Sequence, residues 1–325
     1  MNEESFDLTR ARKTFSRIGL ALCAILVIAT ALQVLWFLDR DSWMVTTSWG
    51  MWLGTFLPMY LVAIPVSLWI MHKLPAHKPQ DHKLGAKKFF VAFAISVCVM
   101  YAGNLVGTVL SMVLSGGNAQ NAVMEYAMDN NPLKVLFMVI LAPLLEEYVC
   151  RKQIIDRTRR YGEKTAVFLS ALVFGLLHQN LFQFFYAFGL GLVFAYIYTR
   201  TGRLRYPILL HMIINFMGGV IAPWLLTLVD MEALASIDPM ASTAELMALY
   251  ADILPGLAVY MLYFLFLLGM STTGLVLLII QCTKLVWFKG EEQLPAGTAI
   301  KTVYFNLGMV LYVLLCCVMI VLALL

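Results

Sequence analysis

Residues 133–151 read LKVLFMVILAPLLEEYVCR. Eleven apolar or small residues surround a proline before two adjacent acids, Glu146 and Glu147, and then Arg151. Such a run is long enough to cross a hydrocarbon core about 30 Å thick as a helix, yet its C-terminal end carries three charged groups that hydrocarbon penalises. Either the acids sit at a membrane edge or they face the interior of a bundle, so the neighbouring segments decide.

Those neighbours are apolar throughout. Of 325 residues, 61% are hydrophobic, 13% aromatic and 13% charged, about half the usual charged share. The mean hydropathy is +0.82. Too little polar surface exists to cover a soluble core of this size, which excludes a water-soluble globular fold and intrinsic disorder. A net charge of only +4, scattered between apolar segments, argues against a nucleic-acid partner. Apolar segments fall near 18–38, 49–71, 89–114, 133–150, 165–181, 182–199, 207–229, 254–283 and 302–325. The expected fold is all-α, a polytopic transmembrane bundle of eight or nine helices, with the fifth and sixth segments joined by a tight turn near Gln179 and Asn180.

Charge placement orients the bundle. Twenty-one of the 23 lysines and arginines cluster at 10–17, 73–88, 151–164, 200–205 and 284–301, all on one side if the spans alternate. The positive-inside rule then puts the N-terminus in the cytoplasm, in a multi-pass protein of the plasma membrane. Ala29-Thr30-Ala31 resembles a signal-peptide cleavage site. The apolar run continues past it to Leu38, so the first span is read as an uncleaved anchor. No repeat or low-complexity tract is visible. The loop 72–88, with five lysines and His72, His77 and His82, is read as a solvated cytoplasmic loop attracted to anionic lipid rather than a metal site. On the opposite side Ser242-Thr243-Ala244-Glu245 has the spacing of a capping box and predicts a short interfacial helix ending before Pro255. The six cysteines lie in or beside apolar runs without a C-x-x-C pair and are read as buried free thiols.

Within the spans, the ionisable groups other than Arg and Lys are Glu146, Glu147, His178 and His211, accompanied by Arg151 and Asn215. Glu147 and Arg151 are four apart on one helix with the acid first, the favourable order for an ion pair. Glu146 is turned about 100° from that pair and meets a cysteine, not a cation, four residues on. Desolvation favours the neutral form of a carboxyl, which suits a group so placed to act as general base or acid. Pro143 can kink the helix beside it. Depth allows a partner. Glu146 lies 15 residues before Tyr161 and His178 lies 14 after Lys164, so a turn at Gly162 sets both roughly 21–23 Å from the turn in an antiparallel hairpin. His211 and Asn215 share a face of the seventh segment.

A carboxylate and a neutral imidazole can together deprotonate water toward a peptide carbonyl, while a second imidazole and a carboxamide can stabilise the resulting oxyanion. The chain has no G-x-S-x-G, paired intramembrane aspartates or H-E-x-x-H. Glu146, His178 and His211 are also admissible as three zinc ligands, with water fourth. Each polar pair taken singly is equally compatible with interhelical glue.

Taken in order, E-E-x-x-x-R, F-x-x-x-H ending at His178 and H-x-x-x-N on successive apolar helices resemble the CPBP family of intramembrane proteases, also called the Abi or type II CAAX prenyl endopeptidase family. The likeness covers about residues 133–220 and includes the link from Gly189 through Arg203 to His211. It divides the chain into N-terminal helices and loops at 1–131, a catalytic core at 132–229, and an outer loop with C-terminal helices at 230–325. The resemblance implies a glutamate-dependent endopeptidase in which Glu146 and His178 activate water, His211 and Asn215 form the oxyanion site, and Glu147 with Arg151 is the supporting pair. It implies no cofactor, with zinc as the alternative. Its expected partners are membrane lipid and a hydrophobic or lipidated peptide or protein, with no nucleic acid. Members cut prenylated CAAX tails in eukaryotes and serve peptide maturation, bacteriocin immunity or surface display in bacteria. Cys150 and Lys152 depart from the aromatic and glycine usual around the motif arginine. The rival reading is a non-proteolytic immunity or scaffold protein of the same fold.

Overall fold

A computed structural model describes residues 7–235 and 242–325, and every regular element among them is helical. Among the described residues the longer helical stretches carry the architecture. They are α1 (Leu8–Trp36), α2 (Ser48–Met71), α3 (Ala86–Leu114), α4 (135–161), α5 (Glu163–Leu177), α6 (Leu181–Thr201), α7 (Arg205–Leu226), α8 (Thr243–Cys282) and α9 (Leu307–Leu322). The nine expected apolar segments therefore all contain helix. Six helices, α1, α2, α3, α6, α7 and most of α8, are long and apolar enough to cross a membrane; α5 and α9 have 15 and 16 residues. In none of the six is more than 44% of the most apolar window buried inside the protein. The remaining apolar surface requires lipid, and the chain is a multi-pass membrane protein.

Side chains at the ends explain where helices start. Asp7, Thr47, Asn180 and Asn306 each accept a hydrogen bond from a free amide in the first turn of α1, α2, α6 and α9. Gly162 turns the chain between α4 and α5 with φ of 129°, a conformation that side chains disfavour. The turn between α5 and α6 spans His178 to Asn180, with Gln179 left-handed at φ of 56°.

One expectation needs correction and one gains detail. The lysines and histidines of the basic loop are exposed, while its backbone is tied down: the His77 amide donates to the Asp156 carbonyl at 2.7 Å, the His82 amide to the Thr201 carbonyl at 2.9 Å and the Leu84 amide to the Tyr206 hydroxyl at 3.0 Å. It is laced to the ends of α4, α6 and α7. The outer helix that begins at Thr243 does not stop before Pro255; it runs 40 residues to Cys282. One proline removes one bond from the ladder, which a long packed helix tolerates. The Glu245 side chain of the expected capping box lies outside the described residues.

Packing places α4 at the centre, in contact with α2, α5, α6 and α7, while α6 lies between α3 and α5 and α1 between α2 and α9. Helices outside the motif region are pinned to it. Tyr161 packs tilted against Phe15 with ring centroids 5.3 Å apart, and the Tyr312 hydroxyl donates to the Val173 carbonyl at 3.1 Å.

The α1–α9 contact is backbone against backbone: a Cβ built on Gly308 would lie 1.8 Å from the Ser16 carbonyl oxygen. Gly308→Ala is therefore expected to cost about 1–3 kcal/mol through overpacking. Gly269→Ala, in open space on α8, should change stability by less than about 1 kcal/mol in the stabilising direction. Thermal unfolding of the detergent-purified proteins checks the contrast.

Candidate active site

The site grows from an irregularity in α4. Residues 135–141 and 148–153 form π-helical turns, and between them Pro143 opens a short α-helical turn, Ala142–Glu147, that carries both acids. Proline's missing donor is accommodated where the turn is already widened, and π turns reset the phase of the side chains that follow.

Glu147 and Arg151 are both fully buried. The pair is bidentate: Arg151 Nε donates to Glu147 Oε2 at 2.8 Å and Nη2 to Oε1 at 3.1 Å. The third nitrogen, Nη1, donates to Ser170 Oγ at 2.9 Å, and that hydroxyl donates to the Cys150 carbonyl at 2.7 Å. The guanidinium lies over the rings of Phe174 and Phe194, 4.5 and 5.9 Å from their centroids. Every polar group of the pair is thus engaged, which a buried charge requires. The role of Ser170 was not anticipated from sequence; a small polar residue two turns before His178 was its only sign.

His211 joins this web. Its Nδ1 lies 3.2 Å from Glu147 Oε1. A carboxylate paired to arginine only accepts, so Nδ1 carries the hydrogen. Nε2 faces Glu146 Oε2 at 3.9 Å, too far for a hydrogen bond. In the neutral ring Nε2 is an acceptor, and it donates only when the ring holds both protons. Asn215, one turn away, donates from Nδ2 to the Met138 carbonyl at 2.8 Å, an oxygen within the first π turn of α4.

Glu146 stands apart from this web. Its Oε2 is buried with no hydrogen-bond partner. His178 donates from Nδ1 to the Phe174 carbonyl at 2.8 Å, leaving the Nε2 lone pair of the neutral ring free. Glu146 and His178 line one cavity of about 60 Å³ together with Ile25, Met59, Ile64, Val149 and Leu177. That is room for a few water molecules. The antiparallel depth argument holds: two proton acceptors from α4 and α5 face one small space. Three of the apolar walls come from α1 and α2, which no motif in the sequence identified.

Among the described residues no group of three or more His, Cys, Asp or Glu is placed to hold a metal ion. In His178 and His211 the δ nitrogen donates within the protein and the ε nitrogen stays open on the side of Glu146.

Comparison with known proteins meets the same segment. The family model "Type II CAAX prenyl endopeptidase Rce1-like" matches residues 129–217. The membrane-embedded CAAX protease MroQ of Staphylococcus aureus (strain USA300) is 29% identical over 175 residues, 49% of this chain and 70% of the relative. A Bacillus subtilis (strain 168) protein named for a membrane peptidase, YdiL, is 25% identical over 165 residues, 48% of this chain and 66% of the relative. No solved structure matches. The matched segment, which is similar to the Rce1-like type II CAAX prenyl endopeptidase model, holds Glu146, Glu147, Arg151, His178, His211 and Asn215 together.

Proposed function

We propose that the protein is an intramembrane endopeptidase that hydrolyses a peptide bond in a membrane-anchored, lipidated or hydrophobic peptide or protein, using Glu146 and His178 to activate water. The observation that carries this reading is the unpartnered, buried Glu146 Oε2 in a cavity shared with His178. A buried carboxylate oxygen without a donor is costly, and a water in that cavity would satisfy it. Similarity to membrane proteins named as protease and peptidase supports the reaction class.

In this reading the water gives a proton to Glu146 while the free Nε2 of His178 accepts its second hydrogen and orients it. The water oxygen attacks the scissile carbonyl carbon, and the carbonyl oxygen becomes an oxyanion. His211 Nε2, when doubly protonated, and the second amide hydrogen of Asn215 are the donors to that oxyanion. The proton held by Glu146 then passes to the leaving nitrogen as the C–N bond breaks, and the acid and amine products separate. Glu147 and Arg151 hold the ring of His211 and keep their own charges balanced. No step passes through a metal. The basic ends of the helices face the cytoplasm of a plasma membrane, with the N-terminus on that side.

Glu146→Gln and His178→Ala should each lower cleavage of a fluorogenic lipidated peptide by about 10²-fold or more while leaving the melting temperature near that of the wild type. Full activity in both variants, or an unaltered cellular phenotype beside a large loss of stability, would instead favour the immunity or scaffold reading. Arg151→Met is expected to act through stability, costing about 3–5 kcal/mol by stranding Glu147. Adding Glu147→Gln to it should cost less than the two single changes summed, which a double-mutant cycle of unfolding measures. Chelation with 1,10-phenanthroline should leave the rate unchanged; stoichiometric zinc in active protein and loss of rate on chelation would replace Glu146-driven chemistry with a zinc site.

A further inference from the structure

A second cavity, of about 420 Å³, lies between the start of α1 and the chain that leaves α2. Arg10, Lys13 and Arg17 of α1 line it, with Leu74 and Pro75 on the other side. The three cations stand at i, i+3 and i+7, one stripe of the helix. Two local rules run against that arrangement. Like charges three and four residues apart repel, and positive charge near a helix start opposes the positive end of the helix dipole. One acid, Asp7, also lines the cavity, but it caps the helix, its Oδ1 accepting from the Arg10 amide at 2.9 Å. None of the three cations has an ion pair with a described residue. Other cations at this end of the bundle do: Lys152 pairs with Asp156, Arg160 with Glu292 and Arg200 with Glu163.

The donors are free, and one of them is fixed. Arg17 is half-buried and anchored through Nε, which donates to the Ile70 carbonyl at 2.7 Å, so both Nη groups are left for another partner. The Arg10 and Lys13 side chains are exposed and bond to no described residue. With Asp7 set against one cation, two positive charges remain uncompensated, a match for the one to two negative charges of a phosphate group. The Arg17 anchor also sets the depth. Ile70 lies in the last turn of α2 beside Trp69, which is 70% exposed. An exposed tryptophan at the end of a spanning helix marks the membrane–water boundary. The apolar run of α1 begins at Ile18, directly after Arg17. The cavity therefore opens at headgroup depth, where the bilayer itself supplies phosphate joined to acyl chains.

We propose that this cavity binds the phosphate of an anionic phospholipid headgroup, held by Arg10, Lys13 and the Nη groups of Arg17. Leu74 and Pro75 form the apolar wall beside the lipid's glycerol. The site is independent of the protease reading. It differs from the diffuse attraction of the exposed lysines at 72–88, because three named donors converge on one cavity.

The test titrates delipidated full-length protein in dodecyl maltoside with dioleoyl phosphatidylglycerol, dioleoyl phosphatidylcholine or inorganic phosphate, reading an apparent Kd from the rise in melting temperature. Wild type should bind the phosphatidylglycerol at least 10-fold more tightly than either other probe. Arg10→Gln/Lys13→Gln should weaken that binding by about 10-fold or more, and Lys13→Gln alone by about fivefold. Without lipid both variants should melt with the wild type, since the altered side chains are exposed and unbonded. Lys83→Gln/Lys87→Gln removes the same charge outside the cavity and should leave the Kd within about twofold. Equal protection by phosphatidylcholine, or equal weakening by Lys83→Gln/Lys87→Gln, would overturn the site, as would unchanged binding in both cavity variants. Protection by inorganic phosphate as strong as that by phosphatidylglycerol would overturn the lipid assignment in favour of a soluble phosphate.

Discussion

A full positive and a full negative charge lie buried together in the middle of this protein, and most of the bundle's geometry follows from accommodating them. Arg151 and Glu147 have no exposure, and an ion stripped of water must recover several kcal/mol from its surroundings. The guanidinium uses all three nitrogens, on Glu147 and on Ser170 of α5, and both faces of its environment are aromatic, Phe174 from α5 and Phe194 from α6. Glu147 spends its remaining capacity on His211 of α7. One ion pair therefore fixes the mutual register of four helices. It also isolates Glu146: the local cation is consumed by the next residue, and the neighbouring carboxylate is left facing a cavity with an unsatisfied oxygen.

The second structural device is the π turn. α2, α4 and α7 each contain at least one, at Pro58–Ala63, at 135–141 and 148–153, and at Met217–Ile221. A widened turn leaves carbonyl groups accessible, and inside lipid those carbonyls need donors from within the protein. Asn215 supplies one to Met138, and the Tyr263 hydroxyl supplies another to Met217 at 3.1 Å. In these two places a polar side chain from another helix satisfies the irregular backbone.

Much of this was legible in the sequence. Apolar segments, the hairpin turn at Gly162 and the four-residue spacing of Glu147 and Arg151 are local patterns, and each has one dominant physical reading. Equal spacing from a turn was enough to bring Glu146 and His178 to one cavity. What was not legible depends on distant contacts. His211 was paired in expectation with the oxyanion; its nearer partner is Glu147, 64 residues away. Pro255 suggested an interruption, but neighbouring helices and a long ladder absorbed it. The π turns left no mark on hydropathy, because a uniformly apolar helix has little period to break.

The same division explains why the family segment alone does not make the cavity. Its acids and histidines lie in residues 129–217, but Ile25, Met59 and Ile64 close the space in front of them. These side chains are held by contacts that have nothing to do with acid–base chemistry: Arg17 Nε donates to the Ile70 carbonyl at 2.7 Å, Gln33 Nε2 to Thr55 at 2.7 Å, and Tyr161 packs on Phe15. Chemistry and enclosure are thus encoded in different parts of the chain. A change in α1 or α2 can reshape the space beside Glu146 without altering a single motif residue, because cavity shape depends on the walls while proton affinity depends on the charges behind them.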